Sequence, residues 1–367
     1  MDFIEQELNK LKEEGTFRKL KVPKNVINFC SNDYLGLSKH PKVIERAASI
    51  LKKYGVGAGA SRLVSGNFDV HEELESKIAE YENTQASIVF PTGYMANLGT
   101  IQALVGAGDA VIIDRLDHAS IVDGARLSGA KMLVYPHKNI DALEKILKKA
   151  SSFKRILIVT DHIFSMDGDI APVNGLAALA DKYDAMLMVD VAHSTGVLDV
   201  DVLPKYRKNL IIMGTLSKAI GSLGGFVAGS SGLIDYLRNK ARAYIYTTAL
   251  PPAIAAASVA SFEIMMKEPE LKKKLWDNVK YLKRKLEELD LDIMGSQTQI
   301  MPIMVGDSKK AVEMSEDIYK QGILLTAIRP PTVPKGTARL RLTVSASHSG
   351  EDIDKLISVL GQLEAGK

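Results

Sequence analysis

Seven short apolar runs, separated by segments of helical periodicity, fill residues 85–230 and constrain the fold more than any other feature. The runs are "ASIVF", "AVIID", "KMLVY", "RILIVT", "AMLMVD", "NLIIMG" and "GGFVAG". They are rich in Val, Ile and Leu and show little polar alternation, the pattern of strands buried on both faces. The segments "MANLGTIQALVG", "IDALEKILKKA" and "VNGLAALADKY" between them carry apolar residues at helical spacing. Strand and helix in alternation predict an α/β fold, a mostly parallel seven-stranded sheet with helices on both sides. The last run follows its predecessor after a glycine-rich turn, so it is the candidate antiparallel strand.

The pattern changes near residue 251. "PPAIAAASVASFEIMM" reads as a long helix opening at Pro251 and Pro252, where proline is tolerated. A charged amphipathic helix, "ELKKKLWDNVKYLKRKLEEL", comes next, then "QIMPIMVG" and the helix "KKAVEMSEDIYKQG" ending at Gly322. The strands "ILLTAI" and "ARLRLTVS" precede a last helix, "GEDIDKLISVLGQLE", which Ser349 can cap. A chain of 367 residues has room for about two domains. The expected division is an N-terminal helix and arm over 1–45, a large domain over 46–255 and a smaller α+β domain over 256–367.

Composition excludes several function classes. The formal net charge is only +3, and no arginine cluster is interleaved with aromatics, so nucleic acid is not an expected partner. The single cysteine, Cys30, rules out an intramolecular disulfide and an all-cysteine metal site, and it fits a reducing compartment. No metal is expected. Ile4, Leu8 and Leu11 give the charged N-terminus the spacing of a short amphipathic helix rather than a signal peptide. No apolar run approaches the roughly 18 residues that cross a bilayer, so a cytoplasmic enzyme without membrane contact is the expectation.

Polar residues stand at the ends of the predicted strands: Asp161 after "RILIVT", Asp190 after "AMLMV", and Lys218 just beyond "NLIIMGTLS". In an open α/β sheet, ligands bind beyond the carboxyl ends of the strands. Each residue alone has an ordinary reading, Asp190 as a helix cap and Lys218 as a loop cation. Two acids and a lysine at one sheet edge suit pyridoxal phosphate, which needs a Schiff-base lysine and a carboxylate to keep its pyridine nitrogen protonated. "VDVAHSTG" adds His193 three residues after Asp190, and "TLSK" places Thr215 three residues before Lys218. Glycines after the lysine let the backbone approach a ligand closely. A Walker P-loop is excluded because its glycines precede the lysine.

These segments bring the chain close to a known family. The motifs "NFCSNDYLGLSKHP", "GVGAGASRLVSG", "FPTGYMAN", "DRLDHASIVDG", "FSMDGDIAP", "DVAHSTGV", "GTLSKAIGSLGG", "IYTTALPP" and "AIRPPTVPKGTARLRLT" occur in order over nearly the whole chain. In this it resembles the α-oxoamine synthases, which are fold-type I pyridoxal-phosphate enzymes. The resemblance implies that Lys218 is the Schiff-base lysine and the base for the substrate Cα proton. Asp190 would pair with the pyridine nitrogen, His193 and Ser165 would contact the ring's phenolic oxygen, and His118 would stack on the ring. Gly93, Tyr94 and Thr215 would hold the phosphate, joined by Thr247 and Thr248 from the neighbouring subunit of a homodimer with shared active sites. Arg341 would clamp the substrate carboxylate, with Asn32 and Tyr34 lining the amino-acid side. Arg18 would meet the acyl substrate, although a surface cation reads equally well there.

The implied reaction is a decarboxylative condensation of an amino acid with an acyl thioester. "TLSKAIGSLGG", "YTTALPP" and "IRPPTVPKGTARLRLT" favour L-alanine with pimeloyl-CoA or pimeloyl-acyl carrier protein. Glycine with acetyl-CoA is the nearest alternative, and a non-catalytic partner subunit is the alternative from another class. The chain also departs from the family pattern. Val191 stands where a second acid is usual, Ser194 where glycine is frequent, His162 where a small residue is usual, and Asp161 in place of a frequent glutamate. The stretch between "TGVLD" and "NLIIMG" is shorter than usual.

Overall fold

The structure is a computed structural model that describes residues 2–199 and 209–365, so most of the shortened stretch lies outside the described residues. The chain forms two compact units, one of residues 35–164 and 170–272, the other of residues 1–34, 165–169 and 273–367.

The larger unit is built on a seven-stranded sheet made of the seven predicted runs. The strands lie in the order Ala86–Phe90, Gly225–Gly229, Leu210–Thr215, Met186–Asp190, Ile156–Asp161, Ala110–Asp114 and Lys131–Tyr135. Gly225–Gly229 is antiparallel to both neighbours, and the other pairings are parallel. Ala110–Asp114, Ile156–Asp161, Leu210–Thr215 and Gly225–Gly229 are buried along their whole length, because helices cover both faces. One face packs Ile112, Ile158, Val189 and Ile212 against Leu143 and Leu176. The other packs Val111, Leu157, Met188 and Ile211 against Ile101 and Ile121. Alternate residues of the same strands thus feed two cores, which is why the runs are apolar without alternation.

Side chains cap several helices where the sequence offers a hydroxyl or amide. Thr92, Asn139 and Ser230 accept the N–H groups of Met95, Ala142 and Leu233. The helix Pro252–Lys267 begins with proline in its first turn, as expected, and buries Ala255, Val259 and Phe262. It packs on the helices Pro41–Tyr54 and Asp69–Tyr81, which places it in the larger unit.

The smaller unit contains a three-stranded antiparallel sheet in the order Thr326–Ile328, Ala338–Thr343 and Ile300–Gly306. The helix Ser308–Lys320 packs on it. "ILLTAI", expected as one strand, is two. Ile323–Leu324 pairs in parallel with Ile27–Asn28, and after the inaccessible Leu325 the chain joins the three-stranded sheet as Thr326–Ile328. At the last helix, Gly350–Ala365, Ser349 accepts the N–H of Asp352 at 3.2 Å and Asp352 accepts the N–H of Ser349 at 2.9 Å. The expected cap is thus reciprocal. Among the described residues no helix is long and apolar enough to cross a membrane.

One buried histidine couples the larger unit's stability to pH. His71 is inaccessible to solvent. Its Nδ1 accepts the N–H of Phe68 at 3.1 Å, which leaves the ring proton on Nε2, 2.7 Å from the carbonyl of Leu250. Burial lowers its pKa from 6.5 to about 4. Between those values the unfolded chain binds more protons than the native one, so stability present above 6.5 is lost as pH falls toward 4. The slope reaches about 1.4 kcal/mol per pH unit. Urea unfolding of His71→Gln, which keeps a donor for Leu250, should show a pH dependence flatter by about that slope in this window.

Candidate active site

In the larger unit the polar groups gather at the carboxyl ends of the parallel strands. Asp161 and Asp190 are register partners on adjacent strands and are both 4% exposed. Asp190 accepts the N–H of Ala192 at 2.9 Å and the side-chain amide of Asn97 at 2.8 Å. Asp161 accepts the N–H of His118 at 2.9 Å, and its own N–H donates to Asp117 at 2.9 Å. Burial first, and then the charge of Asp190, pushes the Asp161 carboxyl well above the usual carboxylate range, while Lys218 opposes this. Burial and the charge of Asp161 do the same to Asp117.

Lys218 sits half-buried in the turn that follows Leu210–Thr215. Its carbonyl accepts the N–H of Gly221 at 2.8 Å. Gly221 has φ +68°, and a β-carbon there would lie 2.3 Å from the backbone nitrogen of Ser38, so only glycine allows this turn. His118 caps the helix Ala119–Ser128, its Nδ1 accepting the N–H of Ser120. More than a third of its surface is open, and its ring meets Tyr94 edge-on at 6.3 Å. The Tyr94 hydroxyl donates to Asp123. His193 is buried in the turn after Asp190. Val191, where the family usually has an acid, is 3% exposed and packs in the apolar core.

Three backbone segments converge beside this group. The helix Gly93–Leu104 starts next to Thr215, and a β-carbon on Gly93 would lie 3.3 Å from the Thr215 hydroxyl oxygen. A β-carbon on Gly225 would lie 2.6 and 2.7 Å from the Cα and N of Gly93. The first N–H groups of a helix have no intrahelical acceptor, and they favour an anion. A cradle that any side chain would fill, a half-buried lysine and a buried carboxylate together fit pyridoxal phosphate. The Thr215 hydroxyl lies 2.8 Å from both the carbonyl of Gly224 and the hydroxyl of Ser217, and it accepts the N–H of Ser217 at 3.3 Å. Thr247 and Thr248 are not part of this cluster. The Thr247 hydroxyl lies 3.4 Å from the carbonyl of Thr248, and among the described residues neither bonds to Gly93 or Thr215.

The smaller unit gathers a second set. Arg341 is 8% exposed. Its Nε donates to the carbonyl of Ser165 at 2.6 Å, and its two terminal nitrogens share Asn32 Oδ1 at 3.2 Å each. The hydroxyl of the fully buried Tyr34 donates to the same oxygen at 3.1 Å. Burial raises the Tyr34 pKa against the pull of Arg341. The acceptors around Arg341 are thus neutral, whereas Arg339, two residues earlier, is paired with Asp167. Arg18 is exposed, donates to the Thr332 hydroxyl at 3.1 Å, and lines a surface cavity of about 320 Å³ with Leu20, Arg329 and Thr332.

Asn97 was not among the residues singled out in the sequence. It closes the motif "FPTGYMAN", and as an amide only 1% exposed it is one of two buried polar side chains on this helix, with Thr100.

One strand of the large sheet is reversed, and a lysine and two acids stand at the edge where the parallel strands end. The family model for aminotransferases of class I and II matches residues 24–360. The chain belongs to this family, the fold-type I pyridoxal-phosphate-dependent transferases. Among curated proteins it is similar to a putative 8-amino-7-oxononanoate synthase of Aquifex aeolicus, 46% identical with both chains fully covered. It is also similar to the 8-amino-7-oxononanoate synthase of Thermoanaerobacter pseudethanolicus, 44% identical over 96% of this chain and 94% of that one. Among solved structures, a serine palmitoyltransferase variant from S. paucimobilis with bound PLP and myriocin superimposes with a TM-score of 0.92. It is 30% identical, covering 100% of this chain and 97% of that one. The 8-amino-7-oxononanoate synthase of Francisella tularensis gives a TM-score of 0.79 at 28% identity, covering 93% and 98%.

The cradle makes a direct prediction. Gly225→Ala forces the backbone at Gly93 to move and should weaken pyridoxal phosphate binding by at least about 10-fold. Fluorescence titration of the apoprotein measures this, and an unchanged affinity would refute the assignment.

Proposed function

We propose that the chain condenses L-alanine with a pimeloyl thioester, giving 8-amino-7-oxononanoate, carbon dioxide and the free thiol, a step of biotin biosynthesis. The observation that carries this reading is the end-to-end likeness to proteins of that name at 46% identity. The site residues agree with it chemically.

Pyridoxal phosphate, held by Lys218, Asp190 and the Gly93–Thr215 cradle, supplies the electron sink for a carbanion at the alanine Cα. Asp190, fixed by Asn97 and the N–H of Ala192, keeps the pyridine nitrogen protonated. His118, an exposed residue, stacks on the ring, and His193 and Ser165 serve the phenolic oxygen. Arg341 takes the alanine carboxylate, exchanging neutral acceptors for a charged one, a bidentate task that suits a planar guanidinium. Asn32 and Tyr34 fix its orientation. Lys218, as a free amine, removes the Cα proton. The Cα–H bond breaks, a bond forms between Cα and the thioester carbonyl carbon, and the C–S bond breaks to release a thiolate, which takes a proton from solvent. The former alanine carboxylate then leaves as carbon dioxide, and Lys218 returns a proton to Cα.

Thr247 and Thr248, unengaged with the cradle of their own chain, serve the phosphate of a second subunit, so the working unit is a homodimer. Arg18 takes the acyl substrate's terminal carboxylate.

Two experiments test the reading. Carbon dioxide release is measured with alanine and glycine, each with pimeloyl-CoA, pimeloyl-acyl carrier protein and acetyl-CoA. Turnover should require alanine and a pimeloyl donor; turnover only with glycine and acetyl-CoA would overturn the substrate assignment. The purified wild type should be yellow and retain a borohydride-fixed cofactor that Lys218→Ala lacks. A colourless wild type that cannot be reconstituted would favour a non-catalytic partner. Arg341→Lys should raise the KM for alanine by about 10- to 100-fold, through loss of a bidentate charged contact.

A further inference from the structure

The turn that carries His193 is held by two side chains from elsewhere in the larger unit. The hydroxyl of Tyr81 accepts the N–H of Gly196 at 3.1 Å. Nδ1 of His162 lies 2.9 Å from the Ser194 hydroxyl, on the residue next to His193. His162 directly follows Asp161, and its own N–H donates to the carbonyl of Asp190 at 2.9 Å. One residue therefore ties together the Asp161 strand, the Asp190 strand and the His193 turn.

The rest of the imidazole does nothing comparable. His162 is 2% exposed, and among the described residues its Nε2 has no hydrogen-bond partner. Beside it is a space of about 10 Å³, lined also by Tyr81, Glu82, Ser194 and Leu198. Burial lowers the His162 pKa to about 4, so the ring is neutral near neutral pH. A buried imidazole with an unsatisfied nitrogen is costly compared with an apolar side chain. What the ring contributes is the bond from Nδ1.

We propose that His162 is a positioning residue, which through Ser194 fixes the turn that orients His193 toward the cofactor. The inference rests on the reading that His193 contacts the cofactor ring. It distinguishes the two ring nitrogens: Nδ1 is needed and Nε2 is not.

Asparagine can place an amide where Nδ1 lies, whereas glutamine carries its amide one carbon further, near Nε2. His162→Asn, His162→Gln and Ser194→Ala are reconstituted with pyridoxal phosphate, and the cofactor's visible absorption is titrated with pH. Alanine kinetics and thermal midpoints are measured alongside. His162→Gln and Ser194→Ala should shift the spectral midpoint by at least about half a pH unit and lower kcat about 10-fold. His162→Asn should restore both toward the wild-type values. Titrations that all superimpose on the wild type, with only the thermal midpoint lowered, would overturn the proposal, as would equal behaviour of the Asn and Gln variants. If His162→Gln does not fold, Ser194→Ala, which removes a single hydroxyl, decides by the same readouts. A reconstituted wild type without a visible band overturns the cofactor reading itself and the inference with it.

Discussion

Asp161 and Asp190 stand side by side at the ends of adjacent parallel strands, both almost wholly removed from water. Two carboxylates in that position cannot both be charged without a large electrostatic penalty. The fold resolves the conflict asymmetrically. Asp161, whose protonated form is favoured, takes the N–H of His118 and so fixes the loop that presents the imidazole. Asp190 takes two donors, Asn97 and the N–H of Ala192. Asn97 lies four residues into the helix that begins at Gly93, a rise of about 6 Å. One helix therefore spaces the anion cradle from the carboxylate, and that separation cannot drift while the helix remains intact.

The cradle depends on missing β-carbons as much as on the groups present. Gly93 and Gly225 approach so closely that a methyl on Gly225 would overlap the Gly93 backbone. The reversed strand Gly225–Gly229 makes this possible. It lies between Ala86–Phe90 and Leu210–Thr215, so its first residue falls beside the last residues of both neighbours. The antiparallel exception thus brings a strand's start to the edge where every other strand ends.

The large sheet was legible in the sequence because double-sided burial writes itself as unbroken apolar runs, and a strand's carboxyl end is then a fixed address for polar residues. Asp161, Asp190 and Lys218 could be placed at one edge on that basis, and the family likeness gave them roles. Other features leave no local signal. The strands Ile27–Asn28 and Ile323–Leu324 are two residues each, too short for any periodicity, and their pairing joins the first 34 residues to the C-terminal region. Leu325 interrupts "ILLTAI" only because tertiary packing buries it between two different pairings. His162 stands out in the sequence only as a departure from the family pattern, and its bond from Nδ1 to Ser194 shows only in the fold.

The arginines of "ARLRLT" show what residue type and spacing by themselves do not distinguish. Arg339 and Arg341 share one strand two residues apart, so they project to the same face. No propensity separates them. Long-range partners do: Asp167 neutralises Arg339, while the carbonyl of Ser165 and the amide oxygen of Asn32 accept from Arg341. Asn32 Oδ1 is moreover asked to accept from three donors, two on Arg341 and one on Tyr34, more than its two lone pairs can serve well. A site with a buried cation and a surplus of donors is short of acceptors and of negative charge. A carboxylate brings two oxygens and one negative charge, which is what this cluster lacks, and an uncharged ligand would supply only half of it.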